Sequence, residues 1–184
     1  ANGNLRHLLT LDGLDKDMLV GLLDDAQKFV TLPGKSTARS PSLAGRTVAN
    51  LFFEASTRTR ASFDLAGKRL GADVLNLDVN TSSRKKGESI LDTIYTLQAM
   101  QVDVMVIRDA SAGVPAYIAR HVNDHVSIRN AGEAEVSHPT QGLLDLLSIR
   151  QHKGGFEDLT VAIVGDIAHS RVARSTGQGL HTLG

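Results

Sequence analysis

Apolar residues along the chain alternate between two periods. Leu14 to Val30 carries Leu19, Leu22, Leu23, Ala26 and Phe29 at helical spacing, with charged residues between them, which predicts an amphipathic helix. A Pro/Gly/Ser-rich stretch follows from Pro33 to Ser42. Thr47 to Phe53 (TVANLFF) has the pattern of a buried strand, and Ser56 to Leu70 that of a helix stopped by Gly71. Val74–Leu77, Val102–Ile107 and Val126–Ile128 read as further short strands, and Thr160–Val164 (TVAIV) as another. Ser89–Met100, Val114–His121 and Pro139–His152 read as helices, with a last one beginning near Ser170. Asn80–Gly87 is polar and basic, and reads as a loop. Strands separated by helices of this length require parallel crossovers. The fold class is therefore α/β, a parallel sheet of four to five strands with helices on both faces. In such sheets ligands bind beyond the carboxyl ends of the strands. Gly154-Gly155 breaks a helix and marks a domain joint.

Composition narrows the chemistry. The 184 residues carry 20 Lys+Arg against 20 Asp+Glu, and 41% are hydrophobic. The length is that of one domain with a remainder. The balanced charge argues against a general nucleic-acid binder. With no cysteine, a disulfide scaffold, a Cys-ligated zinc site, an iron–sulfur cluster and a cysteine nucleophile are excluded. No apolar run approaches the roughly 20 residues of a membrane span, so the expectation is a cytoplasmic protein with no membrane partner. Neither G-x-G-x-x-G nor G-x-x-x-x-G-K-[ST] occurs. His121 and His125 are spaced as zinc ligands, but Asn123-Asp124 between them suggests that the helix has already ended.

The residues after the strands are unusual. Glu54-Ala55-Ser56-Thr57-Arg58-Thr59-Arg60 opens a helix, with Ser56 as its N-cap. Two arginines in a first turn oppose the helix dipole. Together with free N–H groups and hydroxyls they form a cradle for an anion such as phosphate. The alternative is a capped helix with solvated arginines. The loop Thr81–Glu88 concentrates Arg84, Lys85 and Lys86, and reads either as a solvated loop or as one that closes over an anion in its own or a neighbouring subunit. Arg108 follows a strand. His138 precedes Pro139, which suits the first helical position, and Gln141 falls in the first turn. His138 and Gln141 offer a donor and a bifunctional amide to a carbonyl group, unless they serve only the helix entry.

In order, S-T-R-T-R, S-x-x-x-K-G-E, V-I-R, H-P-T-Q-x-L-L-D and G-D-x-x-x-S-R span residues 50–171. This set resembles the catalytic chains of the aspartate carbamoyltransferase family. Lys85-Lys86-Gly87-Glu88 and Asn130-Ala131-Gly132 are nearer the aspartate than the ornithine branch, which usually has Cys in place of Thr140. Asp109 and Ala134 depart from the common pattern, at positions away from the residues given roles in the chemistry.

The resemblance implies that Ser56, Thr57, Arg58 and Thr59 bind the phosphate of carbamoyl phosphate. Thr59, Arg108 and His138 would contact its carbonyl oxygen, and Gln141 its NH2. Arg171 would meet a carboxylate of L-aspartate. Ser82 and Lys86 would reach into the active site of a neighbouring subunit of a homotrimer, Lys86 with a catalytic role. Arg60 would support the fold or an interface. No metal or organic cofactor is implied. Regulatory or dihydroorotase-like chains are conceivable partners. Residues 1–153 would form the carbamoyl-phosphate-binding domain with its linker helix. Residues 154–184 would be the truncated beginning of an aspartate-binding domain, making the chain a fragment inactive on its own. Competing readings are a carbamoyltransferase for another amine such as ornithine, a non-catalytic subunit of the same fold, and a generic phosphate-binding module.

Overall fold

The structure is a computed structural model that describes residues 5–32, 34–37, 39–78 and 89–184. Four strands form the sheet: β1 (Thr47–Phe52), β2 (Asp73–Asp78), β3 (Val104–Asp109) and β4 (Ser127–Glu133). Their order is β2-β1-β3-β4, and every neighbouring pair is parallel. Among the described residues six helices accompany them: α1 (Lys16–Gln27), α2 (Thr57–Arg69), α3 (Ile90–Ala99), α4 (Val114–Ala119), α5 (Pro139–Lys153) and α6 (Arg171–Leu183).

The side-chain alternation of β1 explains the layering. Ala49, Leu51 and Phe53 pack on one face with Ile94 and Leu97 of α3 and Ile118 of α4. Val48 and Phe52 pack on the opposite face, where Phe63 of α2 covers them. A third cluster joins Leu19 and Leu23 of α1 to Leu146 of α5 and Leu183 of α6. Local sequence signals set several helix ends. Ser89 and Asp92 form a reciprocal capping box on α3. Pro139 opens α5, and Gly154, at φ 83°, closes it in the left-handed region.

After β1 the chain moves outward to β2, then returns across β1 to β3 and β4. The direction of winding therefore changes between β1 and β3. The loops leaving these two strands diverge there and open a crevice, the usual ligand position of doubly wound sheets.

Two features differ from the sequence reading. Thr160–Val164 is not a strand. It pairs with no described residue, and Val164 is 94% exposed. Apolar β-branched residues favour an extended backbone, but a strand also needs a neighbour to take its hydrogen bonds. Conversely, residues 5–11 flank the sheet beside β4. The Leu8 N–H donates to the Ile128 carbonyl (2.9 Å), and its carbonyl accepts from the Asn130 N–H (2.9 Å). Arg6 donates to the carbonyls of Val122 and Asn123 and to the Asp124 carboxylate.

Candidate functional site

A cleft of about 670 Å³ opens at the switch between β1 and β3. It is lined by Ser56, Thr57, Arg58, Thr59, Arg108, His138, Gln141 and Arg171, all of which the sequence singles out. These residues come from four places separated by up to 115 positions. Ser82 and Lys86 lie outside the described residues, as does the rest of their loop. Arg60 does not line the cleft, and its guanidinium lies 5.7 Å from the Phe52 ring centroid.

The start of α2 is more open than its motif suggests. Ser56 occupies the N-cap position with extended backbone, but its hydroxyl caps nothing. The first intrahelical bond runs from the Arg60 N–H to the Ser56 carbonyl. The N–H groups of Thr57, Arg58 and Thr59 thus have no intrahelical acceptor. No acidic residue stands in this turn, and Arg58 has no ion-pair partner among the described residues. A phosphate placed here would satisfy backbone donors, dipole and guanidinium together.

The two deeper arginines are not free cations. The Arg108 Nη2 donates to Glu54 Oε1 (3.0 Å) and its Nη1 to the Ala131 carbonyl (3.2 Å). The Arg171 Nη1 and Nη2 approach the same carboxylate at 3.3 Å, and Nη1 donates to the Ala134 carbonyl at 2.9 Å. Burial pushes the Glu54 carboxyl up, but the hydrogen bonds from Arg171 and Arg108 and their charges outweigh it and hold the group below its usual range. Glu54 is the residue that sequence reading missed. Its signal was present, as an acid immediately ahead of a cation-rich anion cradle. The Arg108 Nε remains a buried donor without a partner among the described residues, which a ligand oxygen would satisfy.

Gly132 makes this clamp possible. Its φ is 121°, and a Cβ there would lie 2.7 Å from Arg108 Nη1 and 3.4 Å from Arg171 Cζ. Ala134 also proves closer to the chemistry than its sequence position suggests. Its φ of 41° lies where glycine is comfortable, and its carbonyl holds Arg171.

His138 is buried at the head of α5, its N–H donating to Ser175 Oγ (2.9 Å). Burial lowers its pKa to about 4, assisted by the charges of Arg108 and Arg171. The ring is neutral near pH 7 and acts as a hydrogen-bonding group rather than a cation. Gln141 donates through Nε2 to Asp145 Oδ1 (2.9 Å), whose other oxygen accepts from Thr176 Oγ1 (2.8 Å). Among the described residues no group of three His, Cys, Asp or Glu side chains is placed to hold a metal ion. His121 is engaged with Tyr117, through Nδ1 to its carbonyl (2.8 Å) and ring against ring (4.4 Å between centroids).

The chain's relatives share this arrangement of elements. Residues 6–151 match the family model for the carbamoyl-phosphate-binding domain of aspartate/ornithine carbamoyltransferases. The catalytic subunit of M. jannaschii aspartate transcarbamoylase superposes with a TM-score of 0.86 at 35% identity, over 97% of this chain and 57% of that one. Trypanosoma cruzi aspartate transcarbamoylase, solved in complex with carbamoyl phosphate, superposes with a TM-score of 0.87 at 32% identity, over 96% and 54%. The same enzyme with N-(phosphonacetyl)-L-aspartic acid gives 0.80 at 33%, over 95% and 53%. The chain thus spans about half the length of these structures. It belongs to the aspartate/ornithine carbamoyltransferase family, through the match of residues 6–151 to that family's carbamoyl-phosphate-binding domain.

Proposed function

We propose that the cleft binds carbamoyl phosphate and serves the transfer of its carbamoyl group to the α-amine of L-aspartate. The observation that carries this reading is the meeting of an uncapped, acid-free helix start with Arg108, His138, Gln141 and Arg171 in one cleft. Phosphate would rest on the first turn of α2 and Arg58. The carbonyl oxygen would then face Thr59, Arg108 and His138, with the carbamoyl NH2 at Gln141 and an aspartate carboxylate at Arg171. The deprotonated amine attacks the carbamoyl carbon and forms the C–N bond. The tetrahedral oxyanion collapses, and the bond to the phosphate oxygen breaks with its electrons leaving on phosphate. The leaving phosphate takes the amine proton. A donor aimed at such an oxyanion contributes about 3 kcal/mol to lowering the barrier. Holding the two substrates in line supplies more. A neutral His138 suits the donor role.

Residues 1–153 would be the carbamoyl-phosphate-binding unit, and 154–184 would open the aspartate-binding part. Ser82 and Lys86 would complete the site from a neighbouring subunit of a homotrimer, which their loop's charge favours. The aspartate enzymes among the solved relatives support aspartate over ornithine as acceptor.

Titration calorimetry with carbamoyl phosphate tests the reading. Arg58→Ala is expected to weaken binding by about tenfold or more, the worth of a charge-assisted contact to phosphate, with the thermal midpoint unchanged. Unaltered affinity would remove Arg58 from the phosphate site. Carbamoylation of ornithine but not aspartate by the whole protein would overturn the choice of acceptor.

A further inference from the structure

We propose that Asp145 is a positioning residue that makes the cleft selective for an acyl phosphate carrying an N–H group on its carbonyl carbon. The proposal rests on the carbamoyl-phosphate reading and adds the origin of its selectivity.

Gln141 and Asp145 stand one turn apart on α5, and the Gln141 Nε2 donates to Asp145 Oδ1 at 2.9 Å. A carboxylate oxygen accepts and does not donate, so the amide must turn its nitrogen toward Asp145. The carboxylate itself is fixed from α6, because Thr176 Oγ1 donates to Oδ2 at 2.8 Å. Both oxygens of Asp145 are therefore engaged, and the Gln141 amide is held in one sense. Its Oε1 has no hydrogen-bond partner among the described residues, and Gln141 lines the cleft.

The consequence is an acceptor fixed in one direction beside a phosphate cradle built of donors. The α2 N–H groups, Arg58 and Arg108 all donate. An NH2 on the ligand satisfies Oε1, whereas a methyl group in its place buries that oxygen unpaired. Sites that hydrogen-bond a polar group discriminate strongly against analogues lacking it. Without the carboxylate, the Gln141 amide is free to turn over. Nitrogen and oxygen then face the ligand with similar ease, and the discrimination falls.

Phosphonoacetamide and acetonylphosphonate differ only in NH2 against CH3 on the carbonyl, and inorganic phosphate reports the anion cradle alone. Calorimetric titration of the wild-type protein is expected to show the amide bound about tenfold tighter than the ketone. Asp145→Asn should reduce that ratio to below about threefold while phosphate affinity stays within about twofold. Thr176→Val, which frees one carboxylate oxygen, should lower the ratio in the same direction and carries the test if Asp145→Asn does not fold. In Gln141→Ala the ratio should already be lost, and adding Asp145→Asn should change it no further. A wild-type ratio in Asp145→Asn, or in Thr176→Val where that variant carries the test, overturns the proposal. So does a parallel loss of phosphate affinity, which would make Asp145 merely structural. Wild-type protein that binds all three probes without distinguishing amide from ketone overturns the selectivity while the phosphate site stands. Protein that binds none of them overturns the carbamoyl-phosphate reading itself.

Discussion

Glu54 shows how little of a site's electrostatics its cations reveal. Arg108 and Arg171 share one carboxylate, so the cleft is less positive than its arginines alone suggest. The clamp joins residues 54 and 117 positions apart, so the acid is visible in the sequence but not which arginines it holds. The uncapped, cation-rich start of α2 was legible because its parts are consecutive. Gly132 is the clamp's weak point. Gly132→Ala would force a Cβ against the Arg108 guanidinium, which Glu54 and Ala131 hold in place, and would strain a backbone at φ 121°. A destabilisation of about 1–3 kcal/mol is expected, seen as a lowered thermal midpoint, together with weakened carbamoyl phosphate binding. An unchanged midpoint and affinity would show that Arg108 has room to move.

Among the elements, the amphipathic helices and the strands of the sheet were readable because each has a period and its own stops. Thr160–Val164 had the pattern without the partner, and Leu8 has the partner without a pattern, since a single bridge has no period. The α5–α6 contact depends on small residues. A Cβ at Gly142 would lie 3.0 Å from the Ser175 Cβ and 3.1 Å from its backbone carbon, whereas one at Gly177 would meet nothing within 4 Å. Opposite effects follow from the same substitution. Gly142→Ala must part the two helices and should cost about 1–3 kcal/mol. Gly177→Ala gains helix propensity and should stabilise by up to about 1 kcal/mol. Urea unfolding of the two variants checks the sign of each. Destabilisation by Gly177→Ala would show that α6 is packed more tightly than its open side indicates.

For the whole molecule, acid sensitivity follows from His138. Its pKa is 6.5 when unfolded and about 4 when folded. Between those values the unfolded chain binds a proton that the folded chain does not. The contribution of His138 to stability is therefore constant above about pH 6.5 and falls as the pH drops toward 4, by up to about 3 kcal/mol. Glu54, held below its unfolded value, adds to the loss at the acid end, where protonation removes the arginines' partner. Urea midpoints measured from pH 8 to 4 should trace this decline, and His138→Gln should flatten it. A profile identical to wild type would mean that His138 is protonated in the native state.

The pairing of residues 5–11 with β4 has a consequence for how the molecule is made. The Ile128 N–H donates to His7 Nδ1 at 3.0 Å, a contact spanning 121 positions. During synthesis the segment carrying Leu5, Leu8, Leu9 and Leu11 emerges well before β4, whose acceptors and donors it needs. Contacts this distant are slow to close, because the loop entropy must be met before the contact is gained. The growing polypeptide therefore carries this apolar stretch unpaired until β4 has followed it out of the ribosome. In that interval it is most exposed to aggregation and of most use to a chaperone that grips leucine-rich segments.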